Sequence, residues 1–545
     1  MLSVNRKLKR AFEDLNIEVA VDKFNNKPPE GSLDAIIEDV EQNVEVAKAN
    51  EENASQDTDK SLPDLGDDNS SDDNVDSPAD SGDSVSDSDE QSAETTTETT
   101  EKSQETKEDK QESDKDSDDD LDSPKGDNAS DQAQTAGDKA DEAESTAAAL
   151  EEIAEILEQS AEIGGLDPQS ADIVSMSVNA VTNPLGVAVE SIDPQLFNSY
   201  SKRYKYTLEA IDDIKQKAKD IGIKIIEFIK KMMRLIKEAY RFYKSELFAE
   251  KAKYDAIKNV YSSGGLKVEA YNDKLQGVLS NILLTGKDNS SDAVITAVEG
   301  THHVLLNYIN AYRKDLTTAV AAFDDLKEKV FNIDLADESN ELQRFKREDL
   351  AQFGQFFGIH LTGQFNQVKS VKEIQKPSDT IAVFESPILS GQYRYVVFTA
   401  NKVNINTDDI LKSQVKLMAV GEPVEVPDEI AVCEYTDFRQ LFQVIDQMFI
   451  LNRRIGESVD YAEKELAKLL DYAEAFNGRI NKMISNKLEK MGSETNQLHG
   501  QQLFNSLVNT VRRFYIEPIE QTLRYSNRFT KAMISYAGQS IKQYQ

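Results

Sequence analysis

The chain has 545 residues, of which 99 are acidic and 62 basic, and it carries one cysteine and four histidines. A single cysteine excludes an intramolecular disulfide framework, and no window approaches the ~18 uninterrupted apolar residues of a membrane span. The acidity is confined to residues 1–190, with 14 basic against 52 acidic side chains, while residues 191–545 balance at 48 against 47.

In chain order, Leu2, Leu8, Phe12 and Leu15 recur at roughly helical spacing and predict a short amphipathic helix. Arg6, Lys7, Lys9 and Arg10 lie here, but no apolar core follows, so this is not a secretory signal. A second short helix is expected over Leu33–Ala49. Residues 51–146 are Asp, Glu, Ser, Thr, Asn and Gln with rare large apolar residues, too few to offset the entropy of ordering, and are expected to be disordered. Leu150, Ile153, Ala154, Leu157 and Ala161 then mark a helix face that Gly164 and Gly165 should terminate. Asp167 and Pro168 read as the N-cap and first position of another helix, which Asn183-Pro184 stops. Pro184 to Pro194, with Gly186 and the β-branched Val187, Val189 and Ile192, should be extended and exposed.

From Leu208 the apolar pattern is strongly periodic. Ile211, Ile214, Ala218, Ile221, Ile225, Phe228, Met232, Leu235, Ala239 and Phe242 form an a/d seam of nearly five heptads, so this helix packs on a partner helix in the same chain or another. Further helices are expected at about Ser291–Val330, Glu341–Phe357, Tyr435–Met491 and Gln497–Tyr544. Between them, Thr380–Phe384, Tyr393–Thr399 and Val415–Val420 are β-branched and aromatic runs separated by Pro387, Gly391 and Pro423. They indicate an antiparallel β insertion at about 378–425. The expected class is mainly α, with long coiled-coil-like helices and a small antiparallel insertion, behind a disordered acidic N-terminal part. The parts are 1–50, 51–146, a helical pair with its linker at 147–190, and a helical domain over 191–545.

No phosphate-binding loop, dinucleotide fingerprint, nucleophile elbow or His-Glu-x-x-His site occurs. His302 and His303 point about 100° apart on a helix and read as an ordinary histidine pair rather than a metal site. Cys433 follows Ile430, Ala431 and Val432 and reads as a small core residue. The expectation is therefore a protein with no enzymatic activity, cofactor, metal or small-molecule substrate.

Two features carry functional weight. Ala188-Val189-Glu190, followed by Ser191, lies between two prolines at the charge boundary, where a protease can bind it as an extended strand. Ser160-Ala161-Glu162 and Ala297-Val298-Glu299 share the small-x-Glu pattern but fall at a helix end and inside a helix. Without processing, the first of these is simply an interdomain linker. The second feature is Lys230, Arg234, Lys237, Arg241 and Lys244, at 4-3-4-3 spacing on the face opposite the seam, a stripe able to neutralise nucleic-acid phosphates. Glu227, Glu238 and Glu246 partly offset it, which is also the pattern of an ordinary solvated helix face.

The start Met1-Leu-Ser-Val to Leu15-Asn-Ile-Glu-Val19, the helix Leu150 to Leu157, the run Gly164-Gly-Leu-Asp167, and Gly186-Val-Ala-Val-Glu-Ser-Ile192 leading into a Lys-rich helix resemble the internal head proteins of giant phiKZ-like tailed phages. The resemblance covers roughly residues 1–260. It implies a virion structural protein of the capsid interior, assembled in the host cytoplasm, with a propeptide removed by a prohead protease that cuts after small-x-Glu. Ala188 and Glu190 would then be recognition residues and the bond to Ser191 the scissile one. Implied partners are that protease and other capsid or inner-head proteins. Genomic DNA and further copies of the chain are expected from the basic stripe and the helical seam. The charge split suggests that the acidic part shields the stripe until it is removed. Two other readings are an uncleaved coiled-coil scaffold with an acidic spacer, and a membrane-active ejected protein using Ile221–Tyr243.

Overall fold

The computed structural model describes residues 124–187, 192–331, 354, 356–368, 381–400, 407–421, 423–486 and 494–545. The two expected N-terminal helices, the acidic tract over 51–123 and most of the expected helix at Glu341–Phe357 lie outside the described residues.

Helix α1 runs from Pro124 to Glu162. It begins on a proline, tolerated in a first turn where the missing N–H has no intrahelical partner anyway. Ala129, Ala133, Ala136, Ala140, Ala143, Ala147, Leu150, Ala154, Leu157 and Ala161 recur at 4-3-4-3 spacing, and all ten are buried. Residues 124–146, expected to be unstructured, are therefore the first half of a packed helix. Large apolar side chains are not needed for this: alanine has the highest helix propensity and lets two axes approach toward the lower end of the usual ~8–10 Å. Gly164 and Gly165, at φ 105° and 94°, close the helix, and the Gly165 N–H donates to the Ser160 carbonyl at 2.9 Å.

Helix α2 spans Pro168–Thr182, and its Asp167 cap accepts from the amides of Gln169 and Ser170 at 3.0 and 2.9 Å. The segment expected to be extended from Pro184 to Pro194 is turned at both ends. Asn183–Leu185 and Pro194–Asn198 are 3-10 turns, and Gly186 sits at φ 62°. The fixed φ of each proline suits the first residues of such a turn.

Helix α3, Tyr200–Ser262, is 63 residues long. It runs antiparallel to α1: Lys215 Nζ meets Glu158 near one end at 2.6 Å, and the Tyr243 hydroxyl donates to Asp127 near the other at 2.6 Å. The partner for its apolar seam is thus in the same chain. Ile211, Ile214, Ala218, Ile221, Ile225, Met232, Leu235 and Ala239 are buried, whereas Phe228 and Phe242 are half-buried. The α1 seam spans about nine helical turns, an extended helix-on-helix contact with the apolar repeat of a coiled coil.

The chain continues through β1 (Lys274–Gln276), α4 (Leu279–Leu283), α5 (Ser291–Phe331), α6 (Ile359–Thr362), β2 (Asn366–Val368), β3 (Ile381–Glu385), β4 (Tyr393–Ala400), α7 (Thr407–Leu411), β5 (Gln414–Ala419) and β6 (Glu429–Ala431). Strands β2-β3-β4-β5 form an antiparallel sheet in that order, and β1 pairs with β6. Three strands fall on the apolar runs read from sequence; β2, β1 and β6 are too short to show a period. One sheet face packs Val383, Val396 and Phe398 together. On the other, Tyr395 stacks on Tyr308 of α5 with centroids 4.1 Å apart, and its hydroxyl is 2.8 Å from Thr522 Oγ1, which anchors the sheet to the helices.

Helices α8 (Phe438–Asn486), α9 (Glu494–Val511) and α10 (Glu517–Lys542) complete the body. Between α9 and α10, Arg512–Ile516 widens into a π-helical turn. Pro518 follows at once; it lacks the N–H that would bond the Phe514 carbonyl, and a π turn absorbs that defect without breaking the rod. The single C-terminal helix expected over Gln497–Tyr544 is thus two α-helices joined by a π turn.

Candidate functional site, an acidic helix in a basic trough

Helix α1 carries 11 acidic against 2 basic side chains, and α3 carries 16 basic against 9 acidic ones. The two therefore meet with opposite charge over a shared apolar seam. The π turn adds the strongest contact. Arg512 is 1% exposed, and its Nη2 lies 2.5 Å from Asp141 Oδ1 of α1. Its Nε donates to Asn509 at 2.7 Å, and Glu517 lies 3.4 Å from Nη1. Arg513 reaches both Asp141 and Glu144 at 3.4 Å. The Asn509 amide donates to the same two carboxylates at 2.8 and 2.6 Å. Toward the α1 N-terminus, Arg524 of α10 pairs with Asp127 at 3.3 Å and Asp131 at 2.6 Å. A guanidinium this buried is tolerated only because its donors are met by carboxylate and amide oxygens.

Glu520, one turn before Arg524, is 4% exposed. Burial pushes its carboxyl up to about 8, against the pull of the Arg524 guanidinium and with further upward contributions from Glu517, Asp131 and Asp127. The folded chain thus holds a proton there that the unfolded chain has released, starting from an ordinary value of 4.5. The stability this proton confers is complete below that value and is lost as pH rises toward 8. Glu520→Gln should remove a slope of up to about 1.4 kcal/mol per pH unit. In urea titrations the variant is expected to match the parent near pH 5 and exceed it near pH 8; parallel pH profiles would refute this.

The sequence-derived stripe divides into two groups. Lys230 contacts Asp471 at 3.2 Å and Glu474 at 2.8 Å, and Lys237 contacts Glu463 at 2.6 Å, all three carboxylates lying on α8. These lysines join α3 to α8 and do not share one solvated face. Arg234, Arg241 and Lys244 are exposed. Helix α3 packs against α1, α8, α9 and α10, so a face opposite one seam is not thereby free.

Ala188, Val189, Glu190 and Ser191 lie outside the described residues. On either side, Val187 follows the 3-10 turn and Ile192 is nearly buried at 9% exposure. Cys433 is fully buried, and its thiol is pushed far up by that burial. His302 is held below the usual imidazole range by burial, His303 and Arg454, while His303 lies 3.2 Å from the Asn307 amide. Among the described residues no cluster of His, Cys, Asp or Glu could hold a metal ion, and no helix is long and apolar enough to cross a membrane.

The Arg512, Arg513 and Arg524 constellation was missed by reasoning from sequence. Its legible signal was the 4-3-4-3 alanine repeat from Ala129, which marks a packed helix whose carboxylates need partners.

A family model described as phiKZ-like phage internal head proteins matches residues 70–539. That span includes α1 and the whole sheet and reaches far beyond the roughly 260 residues over which the sequence resemblance was read, while leaving out the Met1–Val19 stretch. No curated protein and no solved structure matches the chain.

Proposed function

The chain belongs to the phiKZ-like phage internal head proteins, structural proteins located inside the capsid, and on that premise we propose that it is made as a precursor cut by a prohead protease after Glu190. The product, residues 191–545, is packaged with the genome among other inner-head proteins and associates with further copies through its helices. The observation that carries this reading is the small-x-Glu peptide Ala188-Val189-Glu190, which sits at the step from an acidic to a balanced chain. Turns capped by Pro184 and Pro194 flank it. N-terminal sequencing of the particle-derived polypeptide should begin at Ser191; a start at Met1 would remove the cleavage step while leaving the family assignment intact.

The rival reading, an uncleaved scaffold, draws support from α1, whose ten-residue seam is built into the body. It is separated from the first reading by the same sequencing result.

Arg234, Arg241 and Lys244 are the stripe residues left to meet nucleic-acid phosphates. Replacing all three with glutamine should weaken duplex binding uniformly across sequences and flatten the log K against log salt slope by about 2–3. An unchanged slope would assign the stripe to solvation alone. Residues 191–545 are also expected to bind DNA more tightly at low salt than the full chain. Five of the described acidic side chains of α1, Asp127, Asp131, Asp141, Glu144 and Glu158, pair with Arg512, Arg513, Arg524 and Lys215, four cations outside the stripe. Any shielding of the stripe is therefore a field effect and should fade beyond a Debye length of ~8 Å.

A further inference from the structure

We propose that the trough formed by α3, α9, the π turn and α10 is a receptor for the acidic helix α1, so that cutting the chain between Glu190 and Ser191 leaves α1 bound as a second, noncovalent chain. Its bearing on maturation rests on the cleavage reading above; the association itself does not.

Apolar and polar contacts support it independently. The ten seam residues from Ala129 to Ala161 are each no more than 7% exposed, so α1 is held along nearly its whole length rather than at one end. Polar contacts are spread along the same length: Asp127 and Asp131 to Arg524, Asp141 to Arg512, Glu144 to Arg513, and Glu158 to Lys215. Release would also strip a carboxylate from Arg512, a guanidinium with 1% exposure whose other ion partner, Glu517, is at 3.4 Å. An apolar seam resists salt, and a guanidinium taken out of water resists losing its carboxylate, so together they make a slow off-rate. The linker contributes only effective concentration. The trough thus selects an acidic helix with alanine at most a and d positions, because larger side chains there would hold the axes apart.

The test uses the full chain with a site-specific protease sequence inserted between Glu190 and Ser191. After cutting, gel filtration at about 1 µM chain should show both pieces co-eluting at the volume of the uncut protein, in low salt and in ~1 M salt alike. Separation of the pieces, or precipitation of residues 191–545 on cutting, would overturn the proposal. A second chain carrying Asp141→Arg and Glu144→Arg checks the clamp. Before cutting it should elute as the parent does, and after cutting its helix should bind at least about tenfold more weakly. Undiminished binding would overturn the role given to Arg512 and Arg513. These results do not depend on where the natural protease cuts. In particles, a Ser191 N-terminus accompanied by peptides from 124–187 supports both readings. The same N-terminus without those peptides rejects retention alone, and an intact chain rejects natural cleavage alone.

Discussion

Asp141→Ala should lower the stability of the full chain by about 3 kcal/mol, the low end of what removing one partner of a buried ion pair costs. The cost comes from Arg512, which is 1% exposed and would keep its charge while losing its closest oxygen, at 2.5 Å. Asn509 would lose an acceptor at 2.8 Å as well. Asp141 itself is 41% exposed and Glu517 remains nearby, which places the effect at the low end of the range. Adding Arg512→Met should restore most of the loss, because an apolar side chain needs no counter-ion. Urea midpoints at unchanged m-value measure both variants. A single-variant loss under about 0.5 kcal/mol would show that water compensates the guanidinium, and the account of α1 as a clamped helix would fail.

A comparable loss, about 2–3 kcal/mol, is expected from Gly456→Ala, although alanine favours a helix over glycine by about 1 kcal/mol. A β-carbon at Gly456 of α8 would stand 1.9 Å from the Tyr240 ring of α3, so the ring or the helix must move. Tyr240→Ala should relieve the clash, giving a favourable coupling above about 1 kcal/mol in a double-mutant cycle. Additivity would place the ring elsewhere. The pairs beside this crossing, Lys230 with Asp471 and Lys237 with Glu463, are partly exposed. High salt should therefore change the cost little, since such pairs contribute about 1 kcal/mol or less.

Much of the architecture could be read from residue spacing. The α3 seam, the glycine pair that ends α1, the Asp167 cap and three strands of the sheet are local patterns, each set by periodicity or by a backbone preference that needs no tertiary context. The readings that failed share a cause. Residues 124–146 looked too polar to order because alanine contributes little area singly, and only close packing along α3 turns five alanines into a core. The basic stripe looked like one solvated face because a single helix cannot report how many others surround it. Arg234, Arg241 and Lys244 stayed exposed while α8 took Lys230 and Lys237, the first and middle positions of the stripe.

Helix content, the charge step near residue 190, the apolar seam of α3 and the small-x-Glu peptide were determined by the sequence alone, because each is a property of neighbours along the chain. Tertiary structure decided that the seam's partner is the acidic helix of the same chain, and that Arg512, some 370 residues away from Asp141, is the charge that holds it. Burial creates that dependence. A guanidinium taken out of water must find its carboxylate wherever the fold brings one, and sequence distance says nothing about where that is.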